Sequence, residues 1–119
     1  MGAKQVTVAV IQAEVAADLK SGLEKTAELT HDAVGSGAEL VVFPETWIPG
    51  YPVWLDVCRD AALWDYAPAK RVFARMAENS ISVPGPDVDF LADLARDVGA
   101  TLVLGISEVD IAPLKRRLS

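Results

Sequence analysis

Apolar positions follow two different spacings along this chain, and their alternation predicts strands separated by helices. Three short runs are apolar at most positions: Val6 to Ala13, Glu39 to Phe43 and Thr101 to Ile106. A short run that is apolar on both faces is typical of a strand covered on two sides, as in parallel sheets. The order of these runs and of the stretches between them predicts an α/β fold built from β-α-β units.

The stretch between the first two runs predicts an amphipathic helix. Asp18 is its expected N-cap, with a capping box of Ser21 and Glu24 as the alternative start. Gly35 or Gly37 can supply the left-handed residue that ends the helix. The inward face is predicted to carry Leu19, Leu23, Ala27 and Val34.

Two more helices are predicted before the third strand. The first, Ala67 to Asn79, is less regular, and the second runs from Asp87 to Val98 with Gly99 as its stop. The inward face of the second is expected to carry Val88, Leu91, Ala92, Leu94, Ala95 and Val98. Strands therefore alternate with amphipathic helices along most of the chain.

Length, charge and cysteine content limit the class of protein. A chain of 119 residues forms at most one domain. Its formal net charge of -6 repels phosphate backbones, so we expect no nucleic-acid partner. No apolar run reaches membrane-spanning length, and the first residues lack the features of a signal peptide. Cys58 is the single cysteine, which excludes an intrachain disulfide and makes a soluble cytoplasmic protein the simplest expectation.

The segment from Pro44 to Tyr66 interrupts the pattern, because it holds three prolines, Gly50 and all three tryptophans. Glu45 stands at its start, directly after an apolar run. Ligands of open α/β sheets meet the protein just beyond the carboxyl ends of the strands, so Glu45 is a candidate for chemistry. Position alone favours a structural carboxylate that caps a turn or meets a surface lysine.

Three motifs bear on that choice. Residues 41–54 read Val-Val-Phe-Pro-Glu-Thr-Trp-Ile-Pro-Gly-Tyr-Pro-Val-Trp, residues 8–13 read Val-Ala-Val-Ile-Gln-Ala, and residues 105–108 read Gly-Ile-Ser-Glu. In this order they resemble the N-terminal portion of the nitrilase family of carbon-nitrogen hydrolases. The resemblance covers nearly the whole chain and implies the N-terminal part of a nitrilase-type α-β-β-α sandwich.

The resemblance also implies a Glu-Lys-Cys site in which a cysteine thiolate attacks the carbon of a small nitrile or amide. Glu45 would be the general base, held in a poorly solvated pocket, and no metal or organic cofactor would be needed. A base is required because a free thiol, with a pKa near 8.5, is only slightly ionised at neutral pH. Trp47, Tyr51 and Trp54 would bind substrate, with ordinary packing as the alternative for all three.

The chain departs from the family pattern in its other catalytic residues. Cys58 lacks the Cys-Trp-Glu context of the family nucleophile and is expected to be structural. Lys70 and Lys115 are poor substitutes for the family lysine, and Lys70 is expected on a solvated helix face. The chain would thus supply only Glu45 of the triad and be inactive alone.

The resemblance ends after Glu108, which predicts residues 1–108 as part of a hydrolase domain and residues 109–119 as a divergent, disordered tail. A frameshift, an early stop or a gene-model error would each produce such a break. Without the rest of the sandwich, one sheet face and one sheet edge would be left uncovered.

Three functional hypotheses follow. The intact gene product is a nitrilase that releases ammonia from an organic nitrile, and the resemblance implies that such an enzyme is a homo-oligomer. Alternatively the chain is a catalytically dead remnant, or a non-enzymatic module that binds a ligand or another subunit on the same scaffold. His31 is expected to face solvent on the first helix and to take no part in any of them.

Overall fold

The computed structural model describes residues 4–50 and 66–109. Within these residues three strands form one parallel sheet in the order β1-β2-β3. Val41 in the central strand pairs with Ala9 on one side and with Leu102 on the other. The predicted α/β fold is therefore confirmed. The strands are β1 (Val8–Val10), β2 (Leu40–Val42) and β3 (Thr101–Val103).

Three helices of the described residues connect the strands: α1 (Leu19–Gly35), α2 (Ala67–Glu78) and α3 (Pro86–Val98). Asp18 is the N-cap of α1, and its carboxylate accepts a hydrogen bond of 2.8 Å from the backbone N–H of Ser21. This bond favours the ionised form and holds the pKa of Asp18 below its ordinary value. Gly99 ends α3 as its left-handed C-cap, as predicted.

The core lies on one face of the sheet. Val41 is fully buried and Phe43 is 4% exposed, and apolar side chains of α1 and α3 pack against them. The predicted inward residues that pack against this core are Leu19, Leu23 and Val34 of α1 and Val88 and Leu91 of α3. Ala92 is exposed, so its predicted inward position is wrong, because α3 turns a narrower apolar stripe to the core than the sequence pattern predicts.

The opposite face of the sheet is open. Val8 is 49% exposed, Val10 is 72% exposed and Val103 is 48% exposed. In the parallel register Val10 and Val103 flank Val42, so these side chains share one face. The two-sided cover that the strand pattern is typical of is absent from the described part of the chain.

Two hydrogen bonds join the C-terminal part of α2 to the segment where α1 begins. The side-chain carbonyl of Asn79, its C-cap, accepts a 2.9 Å hydrogen bond from the backbone N–H of Leu19. Arg75 donates to the carbonyl of Ala17 at 3.3 Å. Val72 and Phe73 remain 42% and 44% exposed. The end of α2 therefore helps to fix the start of α1.

The most deeply buried line of α1 consists of small residues rather than large apolar ones. Gly22, Thr26 and Thr30 are the buried residues of the helix, and they recur at a spacing of four. Small side chains let a helix approach its neighbours closely. The Thr26 hydroxyl donates a 2.6 Å hydrogen bond to the carbonyl of Gly22, whereas the Thr30 hydroxyl has no partner within the described residues.

This difference between two buried threonines gives a matched prediction. Thr26→Val leaves the indole N–H of Trp47 without its acceptor, so we expect the free energy of unfolding to fall by about 1–3 kcal/mol. Thr30→Val removes an unsatisfied hydroxyl and keeps the side-chain shape, so we expect a gain of up to about 1 kcal/mol. Urea unfolding followed by circular dichroism measures both. Equal shifts of the same sign would contradict the hydrogen-bond assignment.

Candidate active site

The ladder between β2 and β3 is interrupted just after β2, and the interruption creates the candidate site. The backbone N–H of Phe43 donates to the carbonyl of Val103 at 2.8 Å, and the next bond between the two segments joins the N–H of Ile48 to the carbonyl of Gly105, just after β3, at 3.4 Å. The two donors lie five positions apart and the two acceptors only two apart. The surplus residues must leave the ladder, so Glu45, Thr46 and Trp47 form a turn at the carboxyl end of the central strand.

Trp47 points from this turn into the core. It is 1% exposed, and its indole N–H donates a 2.8 Å hydrogen bond to the hydroxyl of Thr26. Its ring lies 5.5 Å from that of Phe43, measured between centroids, and the ammonium of Lys25 is 5.8 Å from the Trp47 centroid. The hydrogen bond to Thr26 anchors the turn after β2 to helix α1. Its role in substrate binding stays a prediction.

Glu45 points the other way. Its side chain is exposed, although it follows Phe43, which is buried. The described residues do not enclose the carboxylate in a poorly solvated pocket. A carboxylate at this position is accessible to a ligand and can accept a proton from it.

Two backbone conformations shape the turn and the segment after it. Thr46 has a φ of +47°, a left-handed conformation that is unusual for a β-branched residue, and its hydroxyl donates a 2.8 Å hydrogen bond to the carbonyl of Glu45. Gly50 has a φ of +117°, and a side chain there would meet Val15, with the nearest atom at 2.7 Å. Gly50 therefore supplies a backbone conformation that a side chain would disfavour.

Several residues considered from the sequence lie outside the described residues. These are Tyr51, Trp54, Cys58 and Lys115. Lys70 is exposed on α2 and His31 is exposed on α1, as expected for both. The turn after β2 therefore brings together Glu45 and Trp47 from the predicted set.

The chain matches one known protein family over most of its length. Residues 7–115 match the family model described as carbon-nitrogen hydrolase. The chain belongs to the carbon-nitrogen hydrolase family. The matched region of this carbon-nitrogen hydrolase chain includes all three described strands and the turn that carries Glu45. It runs past Glu108, and the domain boundary expected there stays a prediction.

Individual relatives include nitrile-hydrolysing proteins. The chain is 40% identical over 105 residues to an arylacetonitrilase of Aspergillus oryzae, covering 87% of this chain and 29% of that protein. It is 39% identical over 106 residues to an aliphatic nitrilase of Rhodococcus rhodochrous, covering 87% and 27%. A cyanide hydratase of Armillaria gallica is 35% identical over 104 residues, with 87% and 28% covered. The chain therefore spans less than a third of the length of these relatives.

Two residues that shape the site were not singled out by the sequence reasoning. Thr26 accepts the indole N–H of Trp47, and Gly105 lies against the turn that carries Glu45. The four-residue spacing of Gly22 and Thr26 was a usable signal for a close helix contact. Gly105 was visible only as part of a motif.

No helix in the described portion of this carbon-nitrogen hydrolase chain has the length and apolar character needed to cross a membrane.

Proposed function

We propose that this chain contributes the general base, Glu45, to a site that hydrolyses an organic nitrile to a carboxylic acid and ammonia. The cysteine nucleophile and the lysine of the Glu-Lys-Cys site belong to the part of such enzymes that this chain does not span. The chain alone is then inactive. The family membership and the nitrile-hydrolysing relatives support the reaction class.

The observation that carries the proposal is the position of Glu45. It stands in a turn at the carboxyl end of the central strand, which is the edge where open α/β sheets bind ligands. Its carboxylate is exposed, while the neighbouring Trp47 anchors the turn to the core through Thr26. The anchored turn fixes the position of the Glu45 backbone, and a general base must stand within hydrogen-bond reach of the proton that it accepts.

Proton transfer defines the part that Glu45 plays. The carboxylate takes the proton from the cysteine thiol, and the resulting thiolate forms a C–S bond to the nitrile carbon while one carbon-nitrogen π bond opens and the nitrogen receives the proton from Glu45. The lysine ammonium stabilises negative charge that develops on the substrate. Water adds to the carbon, ammonia leaves with the nitrile nitrogen, and a second water hydrolyses the thioester to release the acid and restore the thiol. Two water molecules are consumed for each ammonia released.

A chimera tests the proposal. Residues 7–108 of this chain replace the matching segment of the Aspergillus oryzae arylacetonitrilase, and ammonia release from phenylacetonitrile is measured for the chimera and for the 119-residue chain. We expect ammonia from the chimera and none from the chain alone. An aliphatic nitrile assayed in parallel examines the breadth of the substrate class.

Two results would contradict the proposal. A folded chimera that binds phenylacetonitrile without releasing ammonia would favour the catalytically dead remnant or the binding module. Turnover by the 119-residue chain that matches the intact arylacetonitrilase would show that the nucleophile is present within this sequence. Circular dichroism of the chimera establishes that it is folded in either case.

The quaternary structure of the intact enzyme belongs to the same proposal. The exposed apolar face of β1 and β3 needs cover in any stable assembly, because exposed apolar patches promote association. We expect the active chimera to be a homo-oligomer, and light scattering measures its mass.

A further inference from the structure

The backbone after β3 passes directly beneath the turn that carries Glu45. A methyl group built at Gly105 would lie 2.7 Å from the Cα of Glu45 and 2.8 Å from the carbonyl oxygen of Pro44, and it would also overlap the backbone nitrogen of Thr46. All three atoms belong to the backbone. A flexible side chain could rotate away from such a contact, but a backbone can relieve it only by moving as a segment.

Hydrogen bonds restrain the backbone around Gly105, so this segment has little freedom to move away from the turn. The carbonyl of Gly105 accepts the N–H of Ile48, and the N–H of Ser107 donates to the carbonyl of Ile48 at 2.9 Å. Two residues before Gly105, the carbonyl of Val103 accepts the N–H of Phe43 at 2.8 Å. Because residue 105 is held between these bonds, a side chain placed there would displace the turn on the other side.

The turn contains a residue whose backbone conformation is unfavourable for its own side chain. Thr46 has a φ of +47°, which β-branched residues rarely adopt. Such a conformation persists only when the surrounding structure imposes it, and strained residues of this kind cluster at functional sites. The buried indole of Trp47 restrains one end of the turn, and the backbone at Gly105 supports its centre.

We infer that Gly105 is a positioning residue for Glu45: its missing side chain lets the backbone after β3 pass beneath the turn and so sets the position of the backbone from which the carboxylate extends. The inference rests on the proposed role of Glu45 as the general base. Gly105 touches no reacting atom. It acts only through the backbone of residues 44–46.

Gly105→Ala in the chimera tests the catalytic consequence, with Gly35→Ala as the matched control. A methyl group at Gly35 would meet no atom within 4 Å, so the control makes the same chemical change in open space. We expect Gly105→Ala to lower kcat by about 10- to 100-fold, since a misplacement of about 1 Å can cost that much. KM should change far less, and Gly35→Ala should match the parent in both.

A second measurement uses the 119-residue chain and does not depend on activity. The φ of Thr46 is read from NMR couplings and backbone chemical shifts in the parent, Gly105→Ala and Gly35→Ala chains. We expect Thr46 to leave its left-handed conformation only in Gly105→Ala. General loss of stability would not move this one angle while the remaining signals stay dispersed.

The outcomes separate the two proposals. If Glu45→Gln inactivates the chimera while Gly105→Ala keeps the parental kcat, the positioning role is wrong and the proposed function stands. If Glu45→Gln leaves the chimera active, the proposed function fails, and an unchanged Thr46 angle in Gly105→Ala would reject the contact as well. An unfolded Gly105→Ala chain would also reject it, because the residue would then serve overall stability.

Discussion

In the chimera, Glu45→Gln is expected to lower kcat for phenylacetonitrile by on the order of 10³-fold, within the range that general acid-base catalysis contributes. The amide has nearly the same shape as the carboxylate but cannot accept the thiol proton. KM should change little, because the lost interaction belongs to the chemical step. Initial rates of ammonia release give both constants.

The matched control is Glu39→Gln, the same change at the opposite end of β2. Glu39 precedes the strand and is exposed, as Glu45 is. We expect the control to keep the parental kcat and both variants to keep the parental melting temperature, since surface substitutions rarely change stability by more than about 0.5 kcal/mol. Equal kcat values for the two variants would remove Glu45 from the mechanism.

Trp47→Ala is expected to cost about 3–5 kcal/mol of unfolding free energy, the usual range for truncating a buried large aromatic residue. The side chain is 1% exposed and contacts Phe43, so its removal opens a cavity in the centre of the core. It also leaves the Thr26 hydroxyl without one of its two hydrogen-bond partners. A loss of this size is a large part of the stability of a small domain, so much of the chain should unfold at ambient temperature.

Trp47→Phe separates packing from hydrogen bonding at the same position. The phenyl ring fills part of the space but has no N–H to donate to Thr26. We expect a loss smaller than that of Trp47→Ala and close to that of Thr26→Val. Urea unfolding followed by circular dichroism ranks the three variants. A Trp47→Ala chain as stable as the parent would contradict the core position of the indole.

Short-range signals made the helices predictable. Asp18 is the N-cap and Gly99 is the C-cap, as the sequence predicts, because each acts on backbone groups within a few residues of itself. The predicted strands were also found, although each is shorter than its apolar run. Apolar character marks what a strand can pack against, whereas its hydrogen-bonded length depends on where its neighbours begin and end.

The candidate site was only partly predictable. Glu45 could be singled out because it follows an apolar run in a motif that resembles a known family. The exposure of Glu45 and the burial of Trp47 could not be predicted, because they depend on which residues leave the β2-β3 ladder. The role of Thr26 could not be predicted, because a threonine does not stand out in the apolar pattern of an amphipathic helix. Its hydroxyl accepts a hydrogen bond from the indole of Trp47, which lies 21 residues away in the sequence.

The sequence by itself determined the alternation of strands and helices and the ends of two helices. It also determined the family resemblance that makes Glu45 a candidate general base. Those features depend on local hydrogen bonding, side-chain periodicity and short motifs. Only the tertiary structure decided which side chains of the turn face the core, and which residue must lack a side chain for the turn to fit. Such choices come from backbone segments brought together by the sheet, as at Gly105 and Glu45, and no local pattern encodes that distance.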